Sequence, residues 1–198
     1  MSGKVQKKRD ELRKSLIDIA ERRIRSGGIE QIKARELAKD AGCAVGAIYN
    51  VFGDLNDLIL AVNGRTFKRL GSHILEAVNA EPEASPQDTL VTMGHAYLDF
   101  ATTNTNAWQT LFDIEMSTEQ EVPEWYLMEL EQLLVLIARP LTRLFPDLPQ
   151  EDIMLMTRAL FSSIHGIVLL GLQKRISAVP TEHLEKMISL ILNNLTPK

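Results

Sequence analysis

One cysteine in 198 residues leaves this chain no internal disulfide to form. No N-terminal apolar stretch of signal-peptide type or membrane-spanning length is present either, and together these predict a cytoplasmic protein with no membrane partner. Glycine-rich phosphate loops, a nucleophile elbow and a carboxylate pair in a catalytic setting are all missing, so no enzyme is expected. Spaced carboxylates such as Glu129 and Glu131 read as a solvated helix face. The four histidines, His73, His95, His165 and His183, are scattered, and only His95 with Asp99 has an i, i+4 pairing. No metal and no cofactor are therefore expected. Apolar–polar alternation of the strand type is also lacking. What remains is helical spacing almost throughout, with 45% hydrophobic residues to build a core.

The spacing predicts an all-α protein of about nine helices. A first helix runs from about Lys4 to Ser26, with Leu12, Leu16, Ile19, Ala20 and Ile24 as its inward stripe and Gly27-Gly28 ending it. Residues 34–58 then hold two short amphipathic helices around a tight turn. In the first, Leu37 and Ala38 share one side, and Gly42 supplies the positive φ of the exit. The second starts near Ala44. Its Ile48 and Phe52 are four apart and face inward, which leaves Val45, Gly46, Ala47, Asn50 and Val51 pointing elsewhere and Tyr49 at the boundary. Gly46 and Ala47 have almost no side chain, so this helix can approach whatever it docks on very closely. Asp54 reads as the N-cap of the next helix, with Asp57 three residues on. Such a constellation is the spacing of a helix-turn-helix, whose second helix lies in a DNA major groove.

In these residues the chain resembles the TetR family of transcriptional regulators, whose signature corresponds here to Ala41, Gly42, Tyr49 and Phe52 within residues 10 to 62. The resemblance implies that Arg35 reads bases. It also implies that Val45, Gly46, Ala47 and Val51 line the base-facing side of the recognition helix, that Ala44 at its opening belongs to the DNA-binding set, and that Lys33, Tyr49 and Asn50 touch phosphate. Three departures stand out: Lys33 replaces the usual threonine or serine, Ala44 and Val45 replace a serine and lysine, and Leu55 replaces a lysine. Together the lost serine, threonine and lysine side chains remove phosphate contacts, so weaker or more apolar readout is expected, including contact with thymine methyl groups. Cys43, in the turn, reads as a packed small side chain rather than a redox sensor.

Charge supports this division. Residues 1–52 hold twelve Lys and Arg against seven Asp and Glu, a net of +5; the remaining ten and nineteen give −9, consistent with the formal −4 of the whole. A basic head on an acidic body can be steered end-on toward phosphates.

Domains are expected at 1–54, the helix-turn-helix DNA-binding head, and 55–198, a helical ligand-binding and dimerisation body. A long helix from Leu55 to about Ala80 outlasts the needs of the head and links the two. The stretch 81–86 breaks it, and Ser85 with Pro86 opens the next helix. Helices are then expected over 89–103, 107–116, 122–145 with a kink at Pro140, about 150–175, and about 181–195. The last two are greasy on more than one side. A dimer interface is expected at Ile164, Val168, Leu184, Met187, Ile188, Ile191, Leu192 and Leu195, because a two-fold pair reads a near-palindrome; burial in the monomer's own core explains the same pattern.

Between His95 and Tyr126 lie both tryptophans. A ligand pocket is expected from His95, Tyr97, Phe100, Trp108, Phe112, Met116, Trp125 and Tyr126, joined by Phe161 and His165; core packing accounts for each of them singly as well. The C-terminal half resembles the TetR subgroup named for a Trp-His-Gly element, which here reads Ile164, His165, Gly166. The resemblance implies a homodimer that binds a double-stranded DNA operator and is released by a small-molecule inducer. The competing expectation is a helical interaction or ligand-binding module whose head binds no DNA.

Overall fold

The structure, a computed structural model, describes residues 2–113, 122–173 and 180–195. Among these residues the chain forms nine α-helices and two short 3-10 turns, with no strand. The helices are α1 (Ser2–Gly27), α2 (Ala34–Ala41), α3 (Val45–Val51), α4 (Leu55–Asn79), α5 (Pro86–Thr103), α6 (Thr105–Thr110), α7 (Glu124–Leu144), α8 (Gln150–Leu172) and α9 (Leu184–Leu192).

Local chemistry sets most of these boundaries. Gly42 adopts φ 63°, ψ 33° and closes α2, its N–H reaching the carbonyls of Ala38 and Lys39. Asp54 accepts the Asp57 N–H at 2.8 Å, while Asp57 accepts that of Gly53 at 3.0 Å, so α4 starts inside a reciprocal cap. Ser85 does the same for α5: its hydroxyl accepts the Asp88 N–H at 3.1 Å and donates to the Asp88 carboxylate at 2.6 Å. Pro86 follows at the first helical position, where a missing N–H costs nothing. Pro140 lies within α7.

By packing, the chain divides into two compact units, residues 1–66 with 104–126, and 67–103 with 127–198. The division by sequence at 54/55 differs from this. The start of α4, α6 and the start of α7 pack with the head.

In the first unit, Leu16, Ile19, Ala20 and Ile24 of α1 meet Leu37, Ala38, Ile48, Phe52, Leu58, Ile59 and Val62 in one buried cluster, which Ala107 of α6 also joins. Its rim is pinned by charge. Arg23 grips Asp40 through Nη2 at 2.7 Å and Nε at 2.9 Å, and Arg65 reaches Asp18 at 2.6 Å and Glu21 at 2.9 Å. The Arg13 guanidinium caps the Phe52 ring at 5.1 Å. Asn63, wholly buried, donates to the Thr110 carbonyl at 2.9 Å and ties α4 to α6.

The second unit packs α5 directly on α9. A Cβ on Gly94 would lie 2.6 Å from Ile188 Cγ2, so only glycine permits this approach. Helix α8 is long and apolar enough to cross a membrane, with a mean hydropathy of 1.7 over eighteen residues; a third of that stretch is buried, through Ile153, Leu160, Ile164 and Val168 among others.

Candidate functional site

Among the described residues, two places have the chemistry of a site. The first is the outer side of α2 and α3. Ile48 is wholly buried and Phe52 nearly so, which fixes the rotation of α3 and turns Ala44, Val45, Gly46, Tyr49 and Asn50 outward, with Ala47 and Val51 half-buried between. Lys33 and Arg35, at the start of α2, are exposed too. Residues 45–51 carry no charged side chain, so cationic groups of this surface come from α2 and α1. Nothing fills the space beside Gly46: an added Cβ would meet no atom within 4 Å. Cys43 is half-buried against the head core.

The second place is a cavity of about 70 Å³ inside the second unit. Helix α4 contributes Leu70 and Ile74, α5 contributes Leu90, Met93, Gly94 and Tyr97, and α7 adds Leu133, Leu136 and Ile137. Leu160, Phe161 and Ile164 of α8 and Leu192 of α9 complete the wall. A larger groove of about 410 Å³ among Leu75, Met128, Val135 and the polar Glu131, Gln132 and Arg139 is open to solvent. It lacks the enclosing walls that a buried ligand requires.

Among the described lining residues the Tyr97 phenol is the one polar side-chain group, and it is engaged. Tyr97 Oη lies 2.8 Å from His165 Nδ1. Phe161 stacks on the imidazole at 5.6 Å and 19°, and meets the Tyr97 ring edge-on at 6.0 Å. Burial holds the His165 pKa below its ordinary value, because desolvation penalises the imidazolium. A histidine lowered in the folded state stabilises the fold fully above its unfolded value, about 6.5, and loses that contribution as pH falls through the folded value. The stability advantage of wild type over His165→Asn, measured by urea unfolding, is therefore expected to shrink as pH drops below about 6.5. A pH-independent difference would remove the buried neutral imidazole.

The described ligand residues expected from sequence are divided between the two units. His95, Tyr97, Phe100, Phe161 and His165 belong to the second unit, whereas Trp108, Phe112, Trp125 and Tyr126 belong to the first. Of the nine that are described, Tyr97 and Phe161 line the cavity, with His165 bonded to Tyr97. His95 turns to α9, where its Nε2 lies 2.9 Å from Ser189 Oγ, and Phe100 packs near His73 at 5.9 Å. Trp108 is wholly buried in the first unit, edge-on to Phe112 at 5.7 Å. Trp125 stands against Tyr126, whose hydroxyl approaches Asn63 at 3.5 Å and whose pKa burial raises. Met116 lies outside the described residues. The wall residues that the sequence reading missed are aliphatic; the apolar positions of α4 beyond the head, Leu70 and Ile74, were the available signal.

The expected dimer residues are likewise redistributed. Ile164, Val168, Leu184, Ile188 and Leu192 are buried in the chain's own fold, Met187 and Leu195 are half-buried, and Ile191 is exposed. The outward face of α8 instead carries Leu155, Ala159, Ser162, Gly166 and Leu170, spaced four, three, four and four apart. On α9, Leu190 and Ile191 are its exposed apolar residues.

Residues 90–195 match the family described as the tetracyclin repressor-like C-terminal domain. No curated protein matches the sequence. Among solved structures, a protein of unknown function from Rhodococcus sp. RHA1 is similar at TM-score 0.74 and 21% identity, covering 94% of this chain and 96% of its own. The transcriptional regulator FadR from Bacillus subtilis, in complex with stearoyl-CoA, is similar at TM-score 0.68 and 18% identity, covering 91% and 97%. A tetR-family transcriptional regulator from Streptomyces coelicolor is similar at 0.65 and 17%, covering 92% and 79%.

Proposed function

This chain belongs to the TetR family of transcriptional regulators, and we propose that it is a homodimeric, cytoplasmic repressor whose hold on a near-palindromic DNA operator is released by a small apolar ligand. The observation that carries the DNA half is the rotation of α3. With Ile48 and Phe52 sunk in the head, the side of the helix left free is the one that Val45, Gly46, Tyr49 and Asn50 occupy. A helix so smooth can sit deep in a major groove, where Val45 and Ala47 would meet thymine methyl groups while Lys33 and Arg35 address the backbone and a base edge.

Two further features support the rest. The α8 face with Ala159, Ser162 and Gly166 between two leucines lets a second copy's helix approach closely, and Leu190 and Ile191 extend the apolar area. Helix α4 places Leu58, Ile59 and Val62 in the head core and Leu70 and Ile74 in the cavity wall. At about 70 Å³ the cavity is roughly half the size of an apolar void that takes up benzene, about 150 Å³, so a ligand of regulatory size must push its wall apart. Moving Leu70 and Ile74 moves α4, and binding energy spent on one state is what shifts the population. The stearoyl-CoA bound by the Bacillus subtilis neighbour agrees with a hydrocarbon-filled site.

The test begins with duplexes selected from a random pool by the purified dimer, its mass checked by sedimentation. Affinity is expected to fall steeply with salt, and Arg35→Ala is expected to cost about 1–3 kcal/mol and relax preference at one position per half-site. A protein that selects no duplex at low salt is not a DNA-binding regulator. Equal operator affinity with and without a bound ligand would leave a repressor with no inducer switch.

A further inference from the structure

The open groove between α4 and α7 is built from a single face of α7. Met128, Glu131, Gln132, Val135 and Arg139 line it, together with Leu75 of α4. At about 100° of rotation per residue these five α7 positions fall within roughly 100° of arc, so they share one side of the helix. All five are exposed, and the large apolar Met128 and Val135 stand 54% and 38% in solvent.

The charges on this face are placed symmetrically about its middle. Glu131 lies one turn before Val135 and Arg139 one turn after it. Eight residues of helix hold the two about 12 Å apart along the axis, too far to neutralise one another. Among the described residues neither has an ion-pair partner, whereas the neighbouring Glu129 is held by Lys68 at 3.0 Å.

An isologous contact satisfies this arrangement. If two copies of α7 lie antiparallel about a two-fold axis at Val135, the valines meet on the axis and position 131 of each copy faces position 139 of the other. Two Glu131–Arg139 pairs then close at once, and each Met128 is carried onto the partner helix. Parallel pairing in the same register would set like charges together.

We propose that this face of α7 is a self-association surface whose occupant is the same face of a second copy, laid antiparallel across the groove. It shares no residue with the outward faces of α8 and α9, so it goes beyond the dimer of the proposed regulator. A chain that pairs through α8 and again through α7 joins dimers into a tetramer. One helix face falls short of the roughly 1,200–2,000 Å² of a stable interface, so the contact is weak between free molecules and gains strength where two dimers are held close, as on neighbouring operators.

Sedimentation velocity of the full chain without DNA, from low micromolar to a few hundred micromolar, tests this. Wild type is expected to associate beyond the dimer. Gly166→Glu, at a position where an added Cβ meets no atom within 4 Å, is expected to block α8 pairing and leave a monomer–dimer equilibrium made through α7 alone. In that background Glu131→Arg makes positions 131 and 139 both cationic, Arg139→Glu makes both anionic, and each is expected to weaken self-association at least about tenfold. Mixing the two variants sets cations against carboxylates in both pairs, and association is expected to return to within about threefold of the parent. Misfolding of a variant would not be repaired by mixing. A parent chain that stays monomeric throughout, or a mixture no stronger than its components, overturns the proposal. Association that ignores both charges does so too, and leaves the groove to another occupant. A Gly166→Glu chain that assembles just as wild type does sinks the α8 pairing instead, while the charge variants still decide α7.

Discussion

Trp108→Ala is expected to cost about 3–5 kcal/mol of folding stability, a large share of the roughly 5–15 kcal/mol a domain possesses. The indole is wholly buried, edge-on to Phe112, on a helix whose Asn106 donates to the Arg25 carbonyl at 3.0 Å and whose Ala107 lies in the head core. Truncation therefore leaves a cavity beside the junction of α1 and α6. The loss is read from urea unfolding followed by circular dichroism. Trp108→Phe, which keeps an aromatic ring in the same place, should cost much less. Binding of an apolar ligand to the 70 Å³ cavity is expected to survive Trp108→Ala at temperatures where the variant is folded, because Trp108 does not line it. Ligand affinity lost with stability unchanged would return Trp108 to the ligand site, where residue type alone had put it.

The contrast between residue type and local spacing shows where sequence reading was strong. Periodicity and caps located the helices: Gly42, Asp54, Ser85 and Pro86 act locally, through φ preferences and side-chain-to-backbone bonds that need no knowledge of the rest of the fold. The rotation of α3 was legible for the same reason, since Ile48 and Phe52 at i, i+4 define one face. The cavity was not. Aromatic and histidine side chains attract attention in a sequence, but Trp108, Trp125 and Tyr126 pack in the first unit, while the wall is built from leucines and isoleucines indistinguishable from core. Neither could a helix apolar on several sides reveal which side turns outward. Only packing showed that Val168, Leu184 and Ile188 face in and that Leu155, Ala159 and Leu170 face out.

Gly46 should separate stability from function by sign. It sits in α3 with an open space where a Cβ would be, so Gly46→Ala adds a methyl without a clash and removes the entropic penalty of glycine in a helix. Folding stability is expected to rise by up to about 1 kcal/mol, less if the helix start damps the effect. Operator affinity should move the other way. If α3 enters the groove as proposed, a methyl there holds the backbone away from the base edges, and a tenfold loss, about 1.4 kcal/mol, is the expected scale. Gly46→Glu carries the argument further, because its carboxylate would be brought between two rows of phosphates. At least about a hundredfold loss is expected there, and added salt should recover part of the electrostatic share while leaving the steric share intact. Thermal unfolding of the free variants and titration of the selected duplex measure the two quantities independently. Unchanged duplex affinity in Gly46→Glu would mean that α3, however exposed, does not face DNA.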